Sequence, residues 1–216
     1  QLYEIDRYID TKALGYSARV AHAMRWDSGQ DVALKVLRLE HIGDPQVWEQ
    51  FAVEVDLLEL LQPNVTVVRL IDCGYVSDQA NELPAGGDIL SCGREVGKFR
   101  QEMEAMKRQG WRPYIGLELL SGENCLLNLI RGADGEGQRP LRLPTEDGLS
   151  LAMQFAAFMQ QAHRLDVVYW DHKPEHVYWV GGRLRLIDFN VSRRLEADLS
   201  AKVKAAQKRL DLRHLT

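Results

Sequence analysis

The sequence predicts an α+β fold in which an antiparallel sheet comes before a mainly helical region. Three alternating apolar stretches within residues 3–40 are separated by turn residues, which is the pattern of a β-meander. Two longer stretches, at residues 45–62 and 150–165, carry apolar residues at helical spacing. With 216 residues, 45% of them hydrophobic, the chain can bury a core as one large domain or as two lobes.

The composition argues against several classes of protein. The formal net charge of −4 and the pI near 5.9 give no reason to expect a nucleic acid as partner. No apolar run approaches the roughly 18 residues that a membrane span requires. Cys73, Cys92 and Cys125 are scattered without C-x-x-C spacing, which favours a reducing compartment over a disulfide framework. We therefore expect a soluble, cytoplasmic protein.

The amino-terminal elements are predicted in order along the chain. A turn at residues 27–29 leads into the strand DVALKVLRL, in which Ala33 and Lys35 share one face. A lysine among apolar neighbours commonly extends its ammonium group to solvent, so this pattern alone does not indicate a site. The helix predicted at 45–62 has Glu54 beside its apolar stripe, which consists of Val47, Phe51, Val55 and Leu58.

The middle of the chain predicts a strand, an insertion and another strand. Residues 65–76 form an apolar stretch with a turn expected at Cys73-Gly74, and residues 77–93 are loop-like. A helix follows within residues 94–110, with Val96, Phe99, Met103 and Met106 at helical spacing. We expect this helix to cover the outer surface of the sheet, the alternative being a helix that binds a partner.

The stretch from Tyr169 to Ser192 carries the most specific chemistry. Asp171 begins a polar run, DHKPEH, and Asp188 ends an apolar run, LRLID. Between them two short strands flank Gly181-Gly182, a hairpin that would bring both aspartates to the same end of the structure. Lys173 lies two residues after Asp171. Carboxylate oxygens are hard ligands for Mg²⁺ and a lysine can neutralise a phosphoryl group, so the set suits Mg-nucleotide chemistry.

These residues resemble the signature motifs of protein kinases. The catalytic loop of that family runs H-R-D-L-K-P-E-N, and D-F-G follows it; this chain has Y-W-D-H-K-P-E-H and then D-F-N. The resemblance implies that Asp171 is the catalytic base, Lys173 its phosphate-binding neighbour and Asp188 a metal ligand. His176 stands where the family has a metal-binding Asn. It is a candidate metal ligand, and the alternative is that it only hydrogen-bonds within the loop.

The amino-terminal half resembles the nucleotide-binding part of the same family. VALKV is similar to the V-A-I-K strand, so Lys35 would hold the α- and β-phosphates and pair with Glu54. The segment LGYSARV resembles the glycine-rich loop, with Gly15 and Val20 matching its pattern and Ser17 replacing a glycine. The remaining residues that the resemblance assigns to the nucleotide are Ala33 on the lysine strand, Leu117 at the back of the pocket, Glu118 to Leu120 as the hinge, and Tyr178 under the adenine. For Tyr178 the equal alternative is a half-buried strand tyrosine.

The carboxyl-terminal part departs from the kinase pattern. Residues 192–216 predict one amphipathic helix with Leu195, Leu199, Val203 and Leu210 on one side, and the sequence after Asp188 contains no A-P-E motif. The resemblance therefore implies a short C-lobe.

In full, the resemblance implies a two-lobed protein kinase-like fold. Residues 1–120 would form an antiparallel β N-lobe with one helix and a helical insertion around 77–112, and residues 121–216 a minimal, mainly helical C-lobe. The expected activity is transfer of the γ-phosphoryl group of ATP, with Mg²⁺ or Mn²⁺, to a hydroxyl, most readily Ser or Thr of a protein substrate. The alternative is a pseudokinase that acts as a nucleotide-binding or scaffold module for a protein partner.

Overall fold

A six-stranded antiparallel sheet forms the first half of the protein. The computed structural model describes residues 2–9, 17–77, 88–131 and 143–213. The chain divides into a first unit, residues 1–59 with 69–119, and a second unit, residues 60–68 with 120–216. The sequence predicted a division at residue 120 but not that residues 60–68 group with the second unit.

The strands of the first unit confirm the antiparallel sheet. They are β1 (Tyr3–Tyr8), β2 (Ala18–Arg25), β3 (Asp31–Leu37), β4 (Leu70–Val76), β5 (Ile89–Gly93) and β6 (Arg112–Glu118). Their order in the sheet is β1-β2-β3-β6-β4-β5, so the meander predicted for residues 3–40 is one edge of it. Val32, Leu34 and Val36 of β3 are buried in the core of this sheet together with Tyr3 and Tyr114.

The strand β4 differs from its prediction. It begins at Leu70 rather than at residue 65, and it continues through Cys73 and Gly74, where a turn was expected. A Cβ added at Gly74 would lie 2.2 Å from the Leu90 carbonyl oxygen. A glycine is required at this position because the backbone of β5 approaches closely. In the sequence, a glycine required for close packing cannot be distinguished from a glycine in a turn.

The helix α1 (Pro45–Leu61) confirms the first predicted helix. Its predicted stripe is buried, and Trp48, also buried, donates its indole N–H to the Ile42 carbonyl oxygen at 2.8 Å. The insertion contains α2 (Val96–Arg108), whose apolar stripe is buried as predicted. The prediction of a loop over residues 77–93 is wrong for residues 89–93, which form β5 and pair with β4. Residues 78–87 lie outside the described part of the chain.

The second unit combines helices with two short sheets. Its elements are α3 (Leu126–Arg131), α4 (Thr145–Arg164), β7 (Val167–Val168), β8 (Val177–Val180), β9 (Arg183–Leu186), β10 (Arg193–Arg194) and α5 (Ala201–Arg213). The predicted hairpin is present as β8 and β9, and both turn glycines, Gly181 and Gly182, have positive φ. The helix α4 begins before residue 150, because Glu146 and Asp147 favour its first turn.

The single helix predicted after residue 192 is wrong. Arg193 and Arg194 form β10 by pairing with β7, and the helix α5 begins only at Ala201. Val203 and Leu210 are 42% and 45% exposed, so the apolar stripe does not face a core. The buried residue of α5 is Asp211. Within the described residues, no helix has the length and apolar character needed to cross a membrane.

Candidate active site

The segment between β7 and β8 holds Asp171 between two basic side chains. A short 3₁₀ turn at Pro174–His176 folds the segment back, and the His176 backbone N–H donates to the Lys173 carbonyl oxygen at 2.9 Å. The Lys173 Nζ atom lies 2.7 Å from Asp171 Oδ1, and His176 Nδ1 lies 3.1 Å from Asp171 Oδ2. Asp171 is buried, whereas Lys173 extends into solvent. Both carboxylate oxygens of Asp171 therefore already face a basic group.

The hairpin β8–β9 brings Asp188 to the same place. His176 Nε2 lies 3.7 Å from Asp188 Oδ2, so the imidazole stands between the two carboxylates. Asp171, His176 and Asp188 each offer one ligand atom, and these atoms all lie within 4.8 Å of one another. Asp188 has φ 60, and its Oδ1 atom accepts a hydrogen bond from the Asn190 backbone N–H. A left-handed non-glycine residue is often found at functional sites.

Electrostatic interactions within the cluster oppose the effect of burial. Burial alone would raise the pKa of Asp171, but His176 and Lys173 outweigh it and lower that pKa. Burial disfavours the charged ring of His176, yet Asp171 and Asp188 outweigh it and raise the pKa of that imidazole. Contact with Asp171 also raises the pKa of Lys173. The two carboxylates thus favour a positive charge between them.

The donor set fits a divalent cation. Two carboxylates suit Mg²⁺ and Mn²⁺, and the imidazole shifts the preference towards Mn²⁺ or another transition metal. Although His176 Nδ1 is 3.1 Å from Asp171, it is a buried atom without an aligned hydrogen bond among the described residues, so the contact is electrostatic. The Asn190 Oδ1 atom is likewise buried without a described partner. Buried polar atoms without a protein partner fit a site that is completed by water or an ion.

The Asp211 carboxylate binds the backbone of the segment that precedes Asp171. The sequence analysis did not identify this residue. It is fully buried, and its carboxylate accepts the backbone N–H groups of Tyr169 at 2.9 Å and Trp170 at 2.7 Å. The rings of His163 and His172 contact the same carboxylate through Nε2 at 2.8 and 3.0 Å. Trp170, with φ 59, is held in a left-handed conformation directly before Asp171. An aspartate within a charged helix normally indicates a solvated face, and only the distant histidines could have indicated otherwise.

The first unit contains the ion pair predicted between Lys35 and Glu54. The Lys35 Nζ atom lies 2.9 and 2.8 Å from the two carboxylate oxygens of Glu54. The two residues are only 7% and 1% exposed. A buried ion pair gains little net stability, because desolvation of both charges offsets their attraction. Its presence on the strand and helix that resemble the kinase pattern therefore favours a functional role.

The register of the sheet groups other predicted residues around Lys35. Val20 of β2 is paired with Lys35, and Ala33 is paired with Leu117 of β6. Glu118 ends β6, and its backbone N–H donates to the Arg69 carbonyl oxygen at 2.9 Å. That N–H group is therefore engaged within the first unit.

The last predicted residues have less informative surroundings. The Ser17 carbonyl oxygen accepts the Arg38 backbone N–H at 3.0 Å, and Leu120 is half-buried after β6. Tyr178 is a half-buried residue of β8, bridged to Cys125, and burial raises the pKa of its hydroxyl to about 12. The prediction for Gly15 lies outside the described residues.

Comparison with known proteins adds no family to this description. No protein-family model matches the chain, and no curated protein matches it either. The functional interpretation therefore rests on the residues, their motifs and their geometry.

Proposed function

We propose that this protein is a kinase-like phosphotransferase that transfers the γ-phosphoryl group of ATP to a hydroxyl group. The observation that carries the proposal is the cluster of Asp171, His176 and Asp188 within 4.8 Å, with Lys173 in contact with Asp171. A second observation is the buried ion pair of Lys35 and Glu54 in the first unit. The two sets occur in the order and spacing that resemble the kinase motifs.

Each residue of the cluster has a role that its surroundings suit. The lowered pKa of Asp171 keeps it ionised, so it can orient the acceptor hydroxyl and take its proton. The hydroxyl oxygen forms a bond to the γ-phosphorus, the bond from that phosphorus to the bridging oxygen breaks, and ADP leaves with the electron pair. Lys173 offsets charge on the transferred group, while Asp188 and His176 would hold the divalent cation. The cation, Mg²⁺ or Mn²⁺, would supply charge neutralisation on the phosphates.

The proposed acceptor is Ser or Thr of a protein substrate. A lysine two residues after the catalytic aspartate resembles the pattern of Ser/Thr protein kinases, and Lys173 occupies that position. In the first unit, Lys35 would place the α- and β-phosphates while Glu54 holds its ammonium group. The two contacts of the Glu54 carboxylate with the Lys35 Nζ atom restrict the movement of this side chain.

One observation favours a binding module without catalysis. Both oxygens of Asp171 already contact basic groups, Lys173 and His176, so an acceptor hydroxyl must displace or share one of them. A pseudokinase that binds nucleotide or a protein partner would tolerate this arrangement. The same experiment separates the two functions.

The experiment combines nucleotide binding with phosphate transfer. Thermal unfolding of the wild type is followed with ATP and Mg²⁺ or Mn²⁺, and transfer of radiolabelled phosphate to itself or to a generic protein substrate is then measured. We expect stabilisation by the metal–nucleotide pair and measurable transfer, which Asp171→Asn lowers by about a hundredfold or more while binding persists. Binding without any transfer supports the nucleotide-binding module. No binding overturns both the phosphotransferase and the nucleotide-binding module, which leaves only a scaffold for a protein partner.

A further inference from the structure

We propose that α2 of the insertion is a built-in clamp that fixes α1, and with it the Lys35–Glu54 ion pair, and that Arg100 is its positioning residue. The expected effect on nucleotide binding rests on the proposed function, whereas the restraint that α2 places on α1 does not. All the residues concerned belong to the first unit. The insertion that contains α2 has no counterpart in the motifs that resemble protein kinases.

Arg100 joins α2 to two turns of α1. Its Nη1 atom lies 3.0 Å from each carboxylate oxygen of Glu49, and its Nε and Nη2 atoms lie 3.0 and 2.5 Å from Asp56 Oδ2. A guanidinium group has a planar, rigid arrangement of donors, so it can bind two carboxylates at once in one geometry. The side chain is 30% exposed, which reduces solvent competition without removing it.

An aromatic layer lies beside this ion-pair layer. Trp48 of α1 and Phe99 of α2 both stack on Tyr75 of β4, with ring centroids 6.3 and 4.8 Å apart respectively. Trp48 and Phe99 are buried, and the Lys107 ammonium group lies 6.0 Å from the centroid of the Trp48 ring. The two helices therefore share Tyr75 as an aromatic packing partner, and the charged contacts between them add direction to the packing.

The position of Glu54 explains why the clamp matters. At 3.6 residues per turn, Glu49 and Asp56 are about 20° apart around α1, while Glu54 is about 140–160° from both. Arg100 thus binds one side of α1, and Lys35 binds the opposite side through Glu54. A rotation or outward shift of α1 that separates Glu54 from Lys35 also breaks the contacts of Arg100. The contacts of Arg100 therefore oppose any movement of α1 that would separate this ion pair.

Positioning of α1 and stabilisation of the whole fold predict different results when the Arg100 contacts are lost. Partly exposed ion pairs contribute little to global stability, because solvent screens them and ordering the side chains is entropically unfavourable. Loss of the Arg100 contacts should leave the unfolding temperature nearly unchanged while α1 moves more freely. Local opening of α1 is thus the readout that separates positioning from stabilisation.

The experiment uses the full chain with Arg100→Met, which keeps an apolar stem but removes the charge. The matched control is Arg108→Met, because the exposed Arg108 contacts only the Glu104 carbonyl oxygen of its own helix among the described residues. Amide hydrogen exchange of α1 and the affinity for ATP with Mg²⁺ or Mn²⁺ are measured. In Arg100→Met we expect α1 to exchange about tenfold faster and nucleotide to bind several-fold more weakly, with partial rescue in Arg100→Lys and no change in the control.

A second route keeps the proposal testable if Arg100→Met folds poorly. Glu49→Gln combined with Asp56→Asn removes the same contacts from the side of α1, and adding Arg100→Met to this pair should have no further effect. Unchanged exchange of α1 in either variant overturns the clamp. If the wild type shows no response to nucleotide, the proposed function fails, while hydrogen exchange still decides the clamp.

Discussion

At the scale of single residues, the proposed chemistry depends on a few charges whose neighbours oppose the effect of burial. Asp171 is buried between Lys173 and His176, and Lys35 is buried against Glu54. A buried charge without a partner is expensive, whereas a paired one is tolerated. Substitutions at these positions therefore test both the pairing and the proposed roles.

Lys35→Met should weaken binding of ATP by about tenfold or more, because the phosphates lose a charge-assisted contact. The variant also removes the Lys35 ammonium group from the buried Glu54 carboxylate, which should lower the free energy of unfolding by about 3 kcal/mol. Calorimetric titration with ATP and Mg²⁺ measures the affinity, and urea unfolding measures the stability.

A second variant separates the two effects of this substitution. Lys35→Met with Glu54→Gln removes both charges, so it should recover much of the stability without recovering the affinity. Lys202→Met, at an exposed position of α5, is the control. Wild-type affinity in Lys35→Met would contradict the assigned contact with phosphate.

His176→Asn should change which metal supports nucleotide binding. Imidazole favours transition metals over Mg²⁺, whereas an amide oxygen is a suitable ligand for Mg²⁺. We expect the wild type to bind ATP better with Mn²⁺ than with Mg²⁺, and the variant to lose this preference. Titrations with each metal at one fixed pH give the ratio of affinities. The same ratio in both proteins would show that His176 only holds the loop.

At the scale of elements, the hairpin β8–β9 determines where Asp188 is placed. Its two turn residues, Gly181 and Gly182, have φ 55 and 77, and a two-residue turn of this kind matches the right-handed twist of the strands. Gly97, in α2, differs in that its φ is not positive, while a Cβ at Gly97 or at Gly182 would meet nothing within 4 Å. The two positions form a matched pair for the same substitution.

Gly182→Ala should lower the free energy of unfolding by about 1 kcal/mol, because an L side chain is strained at positive φ. Gly97→Ala should raise it by up to about 1 kcal/mol, because alanine is the better helix former. Urea unfolding of both variants beside the wild type gives the two differences. Equal effects of the same sign would show that backbone conformation does not decide the result.

At the scale of the whole molecule, each unit has its own network of buried polar groups. In the first unit, the Asp72 carboxylate accepts hydrogen bonds from the Tyr3 and Tyr114 hydroxyls at 2.6 and 2.8 Å. In the second unit, Asp211 joins α5 to α4 and to the segment that carries Asp171. Both networks connect residues that are distant in the sequence.

Asp211→Asn should lower the free energy of unfolding by about 3 kcal/mol, because an amide cannot accept from all four donors. Burial alone would raise the pKa of Asp211, but His172, His163 and two backbone N–H groups outweigh it and lower that pKa. The folded protein therefore favours the ionised form. This contribution is present above the unfolded pKa of about 3.9 and is lost as pH falls through the lower folded value.

Unfolding by urea between pH 6 and pH 3 measures this dependence. The wild type should lose stability at the acidic end more steeply than Asp211→Asn, in which the group no longer titrates. Parallel curves for the two proteins would contradict the assignment of acid sensitivity to Asp211.

Local pattern was sufficient to predict much of the fold and part of the candidate site. The meander, the helix α1, the stripe of α2 and the hairpin were predicted because each depends on periodicity and turn residues within a short segment. The Lys35–Glu54 ion pair was predicted through the resemblance to protein kinases, and the structure contains it. The roles of these residues in nucleotide chemistry stay predictions.

The sequence by itself determined the amino-terminal meander, the helices α1, α2 and α4, the hairpin β8–β9, and which charged residues belong to motifs. Only the tertiary structure decided that Gly74 serves a close approach of β5, that Asp211 is buried, and that Arg100 binds α1 from the side opposite to Lys35. These features depend on donors and backbones brought together from distant parts of the chain. Whether a charge can be buried depends on those partners, and the hydrophobic periodicity of the sequence does not identify them.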